Sequence, residues 1–350
     1  DLHDVRLLAL NQSPRWRLDV SAKEAVGWVD LEPNTMGGLS QLRARLSRLT
    51  VPDATQADVE SFIEQPTSVP ALDVVVDDLR VGAIALGRVE VDATNHGEGE
   101  QQSWRLNRFR MTLPEASLSA NGVWATATSP LSEKLNKSTA LQFQIDIRDA
   151  GALLQRLGQS GNLNDGQGQV SGSVAWAGSP ITPDLASLSG QWQLRLEKGQ
   201  ILKIDPGAGR LLGILSLQSL PRRFLLDFRD AFVDGFAFDD FSGQVDLAQG
   251  VATSRNLRLR SILADVHMDG QVDLVKRTQD IQLLIVPEIN VGTASLALVT
   301  VNPVLGWSTF LAQLLLRTPL KAMVSQQMHV TGTWAQPQVN KIVPSPSPKP

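Results

Sequence analysis

The sequence predicts a mainly β protein, an extended sheet with one apolar and one polar face. Three observations carry this. The 350-residue chain is written almost throughout in two-residue alternation, the period at which a strand sends successive side chains to opposite faces. It contains few helical stretches to cover the apolar faces so created. A loose repeat, VSGSVAW at 170–176, LSGQWQL at 188–194, FSGQVDL at 241–247, MDGQVDL at 268–274 and VTGTW at 330–334, places glycine at strand entries, where a curved sheet needs bends or bulges. The apolar faces require cover from a second sheet, from helices, or from the acyl chains of a bound lipid.

From the N-terminus, residues 1–49 read as three or four strands, with a turn at 33–38. The alternation Leu42, Ala44, Leu46 closes this stretch. Residues 53–64 read as a short helix, acidic near its start and followed by Pro66. Strands resume over 71–127 with Leu72, Val74 and Val76, broken by a polar loop at 95–102. After a connector at 129–138 comes Leu141, Phe143, Ile145, Ile147, and then a helix capped by Asp149 and running to Leu157. The Gly-, Asn- and Gln-rich stretch 158–168 is the best candidate hinge. Beyond it lie the alternations of Val174 and Trp176, of Trp192, Leu194 and Leu196, of Val245 and Leu247, and of Leu257 and Leu259.

Three C-terminal helices are expected, at 207–220, 304–316 and 320–327, because Asp205-Pro206, Asn302-Pro303 and Thr318-Pro319 each pair a capping side chain with proline at the first helical position. The first carries Leu211, Leu212 and Leu215, and the second Trp307, Phe310, Leu311, Leu314 and Leu315, with no polar face. Residues 289–316 are uncharged, yet Asn302-Pro303 splits them into a strand at 294–301 and a helix rather than a membrane span. The Pro-, Ser- and Lys-bearing residues 341–350 read as a disordered tail.

Composition excludes several classes. The net charge of −4, with 19% charged residues, supplies no basic footprint for nucleic acid; the clusters Arg43/Arg45/Arg48 and Arg222/Arg223 read as solvated strand or turn positions. Without cysteine there are no disulfides, thiolate metal sites or cysteine catalysis. His3, His96, His267 and His329 stand apart in sequence, and Asp77/Asp78 and Asp239/Asp240 point to opposite strand faces. The run DPGAGRLLG at 205–213 lacks the context of a nucleotide-binding turn and reads as a capped helix. No metal, cofactor or catalytic residue is therefore expected, and the chain reads as a non-enzyme. An outer-membrane barrel would carry aromatic girdles; this chain has no tyrosine and its tryptophans are scattered.

GRLLGILSLQSLPRRFLLDFRDAF at 209–232, DGFAFDDFSGQVDLAQG at 234–250, RTQDIQLLIVPEI at 277–289, NPVLGWSTFLAQLLLRTPL at 302–320 and VTGTWAQPQV at 330–339 resemble the C-terminal region of YhdP-type proteins of the AsmA-like family. PALDVVVDDLRVGAIALGRVEV at 70–91 is similar to the strands that precede it there. The resemblance implies a long, curved and twisted β-sheet forming a hydrophobic groove, of the bridge-like lipid-transfer type. It further implies phospholipid movement from inner to outer membrane across the Gram-negative periplasm, and an inner-membrane anchor upstream of this chain.

On that reading residues 1–200 form the groove and 201–340 a cap with helices concentrated near the C-terminus. Groove candidates are Leu42, Ala44, Leu46, Leu72, Val74, Val76, Phe143, Ile145, Ile147, Val174, Leu194, Val245, Leu247, Leu257 and Leu259; the apolar helix residues named above are the cap or membrane-docking candidates. The expected partners are phospholipids and an outer-membrane or envelope contact at the C-terminal end. The competing expectation is a structural or adhesive β-rich scaffold with a closed core.

Overall fold

The structure, a computed structural model, describes residues 3–33, 39–52, 69–97, 103–127, 136–159, 163–180, 182–202, 236–288 and 325–342. It is mainly β, with seventeen described strands assigned to one sheet. The expected helices at 53–64, 207–220 and 304–316 and the strand at 294–301 lie outside the described residues. So does the expected helix at 320–327, except at its end, where a correction is needed: Gln326 and Gln327 open a strand. There the alternation of Met328 and Val330 continues back through the presumed last helical turn and pairs with the preceding strand.

The chain divides into two compact units. The first comprises Asp1–Arg148, Leu153–Gly158 and Ser171–Asp184. It contains β1 (Arg6–Gln12), β2 (Arg15–Ser21), β3 (Ala25–Pro33), β4 (Leu39–Val51), β5 (Ala71–Val81), β6 (Ile84–His96), β7 (Ser103–Thr112), β8 (Ala116–Ala127) and β9 (Asn136–Ile147). Each pairs with its sequence neighbour, antiparallel everywhere except β4–β5, which is parallel. The second comprises Asp149–Ala152, Gln159–Val170 and Leu185–Pro350. It contains β11 (Ser189–Ile201), β12 (Phe236–Ala248), β13 (Val251–Arg260), β14 (Ala264–Asp273), β15 (Thr278–Pro287), β16 (Gln326–Thr333) and β17 (Gln336–Lys341), an antiparallel meander. Helix α1 (Ala150–Arg156) and strand β10 (Leu163–Ala177) contribute residues to both units.

Local chemistry explains the turns. Gln249 and Gly250 both take positive φ, 49° and 75°, as a two-residue hairpin whose twist matches its strands requires. Helix α1 begins where Asp149 Oδ1 accepts the backbone N–H of Ala152 at 2.8 Å, the capping geometry that its sequence predicts. At the other end the Arg156 guanidinium donates to both carboxylate oxygens of Glu115, in the turn between β7 and β8, and to Ala85 O at the start of β6. Arg148 donates to the carbonyls of Leu113 and Pro114 in the same turn.

The glycine repeat marks register changes. The β12–β13 ladder shifts between Ser242 and Asp246, around Gly243, and the β13–β14 ladder shifts beside Ser254, the partner of Gly270. Gly270 has φ 154°, and a Cβ there would lie 2.2 Å from Asp280 O. Gly270→Ala is therefore expected to lose about 2 kcal/mol or more of stability, combining backbone strain with a clash that no side-chain motion relieves. Gly158→Ala, at φ 80° with nothing within 4 Å of the added carbon, should lose only about 1 kcal/mol. Urea midpoints of the two variants check this, and equal midpoints would show that contact at Gly270 is unimportant.

Candidate functional site

In the first unit the ladders bring the apolar half of every strand onto one face. Because cross-strand partners share a face, the registers can be read as transverse rows. The middle row runs Ala9, Leu18, Val29, Ala44, Val74, Val91, Phe109, Ala120, Phe143, one residue from each of nine strands and none polar. A parallel row runs from Leu7 and Val20 through Leu46, Val76, Val89, Met111 and Leu118 to Ile145. A third includes Leu31, Leu42, Leu72, Ala93, Leu106 and Leu141.

Some members of these rows are buried, Ala44 and Val76 each being 3% exposed and Leu46, Val89 and Leu106 between 6 and 8%. Others, including Leu42, Val74, Val91, Phe109, Phe143 and Ile145, are half-buried. Strand β9 shows the pattern at its simplest: Leu141, Phe143, Ile145 and Ile147 are half-buried, while Gln142, Gln144 and Asp146 between them are exposed. All described strands are assigned to one sheet. The one described helix packs at the β7–β8 turn.

The opposite face is polar and internally paired. Arg45 Nη2 donates to both carboxylate oxygens of Asp73 at 2.8 and 3.0 Å, Arg88 bridges Asp77 at 2.6 Å and Glu90 at 3.0 Å, and Arg15 meets Glu32 at 3.0 Å. The Arg17 guanidinium stacks 4.5 Å from the Trp28 ring centroid. The apolar face offers no polar partner along its three rows except at their margins.

The second unit repeats the pattern. Leu196, Phe241, Leu259, Val266 and Ile285 form one row, and Leu257, Met268, Leu283 and Met328 lie in the next. It differs in cover around β15, where Leu284, Ile285 and Val286, which alternate between faces, are 0, 6 and 7% exposed. On the face of Leu284, Arg258 and Asp265 pair at 2.6 Å beside a buried His267. Burial, reinforced by the Arg258 charge and opposed by Asp265, holds that imidazole below its ordinary pKa.

Two histidines that stand apart in sequence gain carboxylate partners in space. His3 engages Glu24 through its backbone N–H at 2.8 Å and its ring at 2.7 Å, contacts that lower the Glu24 pKa to about 2, the backbone bond contributing most. His329 Nε2 lies 2.6 Å from Asp280 Oδ1, two residues along the strand from its ladder partner Gln282. Among the described residues no three His, Cys, Asp or Glu side chains gather into a metal-binding group, and no helix is long and apolar enough to cross a membrane.

A sequence model of the YhdP protein matches residues 1–339. The chain belongs to the YhdP family. It is similar to the intermembrane phospholipid transporter YhdP of Escherichia coli (strain K12), with 29% identity over 262 residues, which are 74% of this chain and 20% of that protein. The chain thus spans about a fifth of its curated relative's length. No solved structure matches it.

In this YhdP-family chain the ladders bring together the groove candidates Leu42, Ala44, Leu46, Leu72, Val74, Val76, Phe143, Ile145 and Ile147 on the apolar face of the first unit. Leu194, Leu247, Leu257 and Leu259 fall on the corresponding rows of the second, with Val245 in the β12 bulge region; Val174 lies half-buried on β10. The cap candidates Leu211, Leu212, Leu215, Trp307, Phe310, Leu311, Leu314 and Leu315 lie outside the described residues. Sequence reading missed Val89 and Val91, whose alternation in GRVEV was available, and Phe109 and Met111, whose alternation a bulge between Leu106 and Phe109 interrupts.

Proposed function

We propose that the chain carries phospholipid by its acyl chains, as the distal part of a hydrophobic groove that conducts lipid from the inner to the outer membrane through the periplasm, without bond chemistry. The nine-strand apolar row from Ala9 to Phe143 carries this reading. It is continuous, is half-buried from Leu18 to Phe143 except at the buried Ala44, and offers an acyl chain no charged residue to cross. Each methylene moved from water onto such a face gains about 0.8 kcal/mol at full burial. Many equal, weak contacts hold a chain while letting it slide, which transport requires and a single deep pocket would prevent. The relative's name supports phospholipid as the cargo, and an outer-membrane or envelope partner for the C-terminal end belongs to the same proposal.

The competing reading, a scaffold with a closed, dry core, is favoured locally by the burial of Leu284, Ile285 and Val286 on both faces of β15. It fits the proposed division of labour, in which the C-terminal part closes the groove that the earlier strands leave open. Photoreactive residues placed singly from 141 to 146, followed by mass spectrometry of the detergent-free chain, distinguish the two. Lipid adducts are expected at 141, 143 and 145 and not at 142, 144 and 146. Lipid-free protein with adducts at none of the six positions would establish the scaffold.

A further inference from the structure

The first unit buries three tryptophans, and two have satisfied indoles. Trp104 Nε1 donates to Pro70 O at 3.1 Å and Trp176 Nε1 to Ser179 O at 2.8 Å. Trp124, 6% exposed, is the exception, because its Nε1 is buried with no hydrogen-bond partner. An unmade buried N–H carries its full desolvation cost, and such groups in a folded protein call for an explanation. Trp124 pairs with Trp104 and Thr139, so it stands at the strand-end margin of the apolar face, next to the row through Leu106 and Leu141.

The same margin carries a cation. Lys137 lies two residues before Thr139 on β9, on the same face, and its ammonium sits 4.3 Å from the Trp124 ring centroid. It has no carboxylate partner among the described residues, in contrast to Arg15, Arg45 and Arg88 on the polar face. The neighbouring Thr139 hydroxyl donates to Gly178 O and one N–H of the Asn95 amide to Val69 O. Two donors at this margin are the Lys137 ammonium, stacked on the Trp124 ring, and the Trp124 indole N–H.

We propose that this margin binds the phosphodiester of a lipid whose acyl chains lie on the apolar rows, with Lys137 and Trp124 Nε1 as its donors. This rests on the acyl-bearing reading of the face. A phosphodiester supplies one negative charge and several acceptor oxygens, matching one ammonium and one indole N–H. The ammonium rests on the indole face, a weak cation–π contact that an anion displaces. The arriving oxygen then takes up the N–H that the fold leaves unpaired. The face would thereby align the head group at one margin and the chains across the strands, giving the lipid one orientation as it moves.

The test compares binding of a diacyl phosphatidylglycerol and of diacylglycerol with the same chains to the 350-residue chain, to Lys137→Gln and to Trp124→Phe. Each substitution is expected to weaken phosphatidylglycerol binding about fivefold and to leave diacylglycerol binding unchanged. Phosphatidylglycerol should also shift the Trp124 indole N–H resonance. Unchanged phosphatidylglycerol affinity in Lys137→Gln overturns the site even if Trp124→Phe does not fold. If the unsubstituted chain binds both lipids equally, the site fails while the apolar-face reading stands; if it binds neither, that reading fails too. A shift of the same resonance by inorganic phosphate alone would make this a soluble-anion site and overturn its assignment to lipid.

Discussion

Ile145→Asp should lower phospholipid binding about a hundredfold and leave the chain folded. Ile145 stands half-buried in the row that continues through Leu118, Met111 and Val89, so a carboxylate there meets water in the empty chain and acyl methylenes in the loaded one. Displacing about four methylenes, at about 0.8 kcal/mol each, costs about 3 kcal/mol of binding. A charge at the adjacent exposed Gln144, on the opposite face, should have no effect. The same contrast is expected in the second unit, where Val245→Asp interrupts the apolar side and Gln244→Asp does not. Native mass spectrometry gives the lipid occupancy and a urea melt gives the fold. A folded Ile145→Asp chain that retains full lipid occupancy would remove the row from the transport path.

Arg156→Ala should produce the largest loss of stability, about 3 kcal/mol, because it strips the cation from a carboxylate that the fold has buried. Glu115 is 7% exposed and receives both its strong hydrogen bonds from Arg156. Burial tends to raise its pKa, but the hydrogen bonds from Arg156 and its own backbone, with the charges of Arg156 and Arg148, outweigh this and lower it. A carboxyl lowered in the folded state stabilises the fold above the unfolded value, about 4.3, and loses that contribution as pH falls through the folded value. The unsubstituted chain should therefore lose stability below about pH 4, and Arg156→Ala should lose much less over the same range. Urea midpoints at pH 7 and pH 3 measure both. Equal pH dependence in the two proteins would show that the pair does not fasten α1 to the β7–β8 turn.

Where the alternation is unbroken, the site was legible. Leu42, Ala44 and Leu46, and Leu72, Val74 and Val76, share a face because period two in the sequence is period two in the strand, and their ladders align residue for residue. Phe109 and Met111 were not legible because the bulge after Leu106 moves the apolar positions from even to odd numbers. A reader counting by twos from Trp104 and Leu106 arrives at Arg108 and Arg110. The repeat glycines signalled such interruptions without giving their size, which depends on how many residues the partner strand sets opposite them. Glu115 and Arg156, forty-one residues apart, share no motif at all.

By itself the sequence determined that the chain is a succession of strands, each with one apolar side, because side-chain alternation is local and needs no partner to be read. It determined the cap of α1 at Asp149 for the same reason. Only the tertiary structure decided that the apolar sides of nine successive strands fall on one face, that this face stays half-exposed, and that Trp124 is left with an unpaired N–H beside Lys137. These depend on register and bulges, which are set by the ladder between strands, and a one-residue slip would have turned any strand's apolar side to the other face.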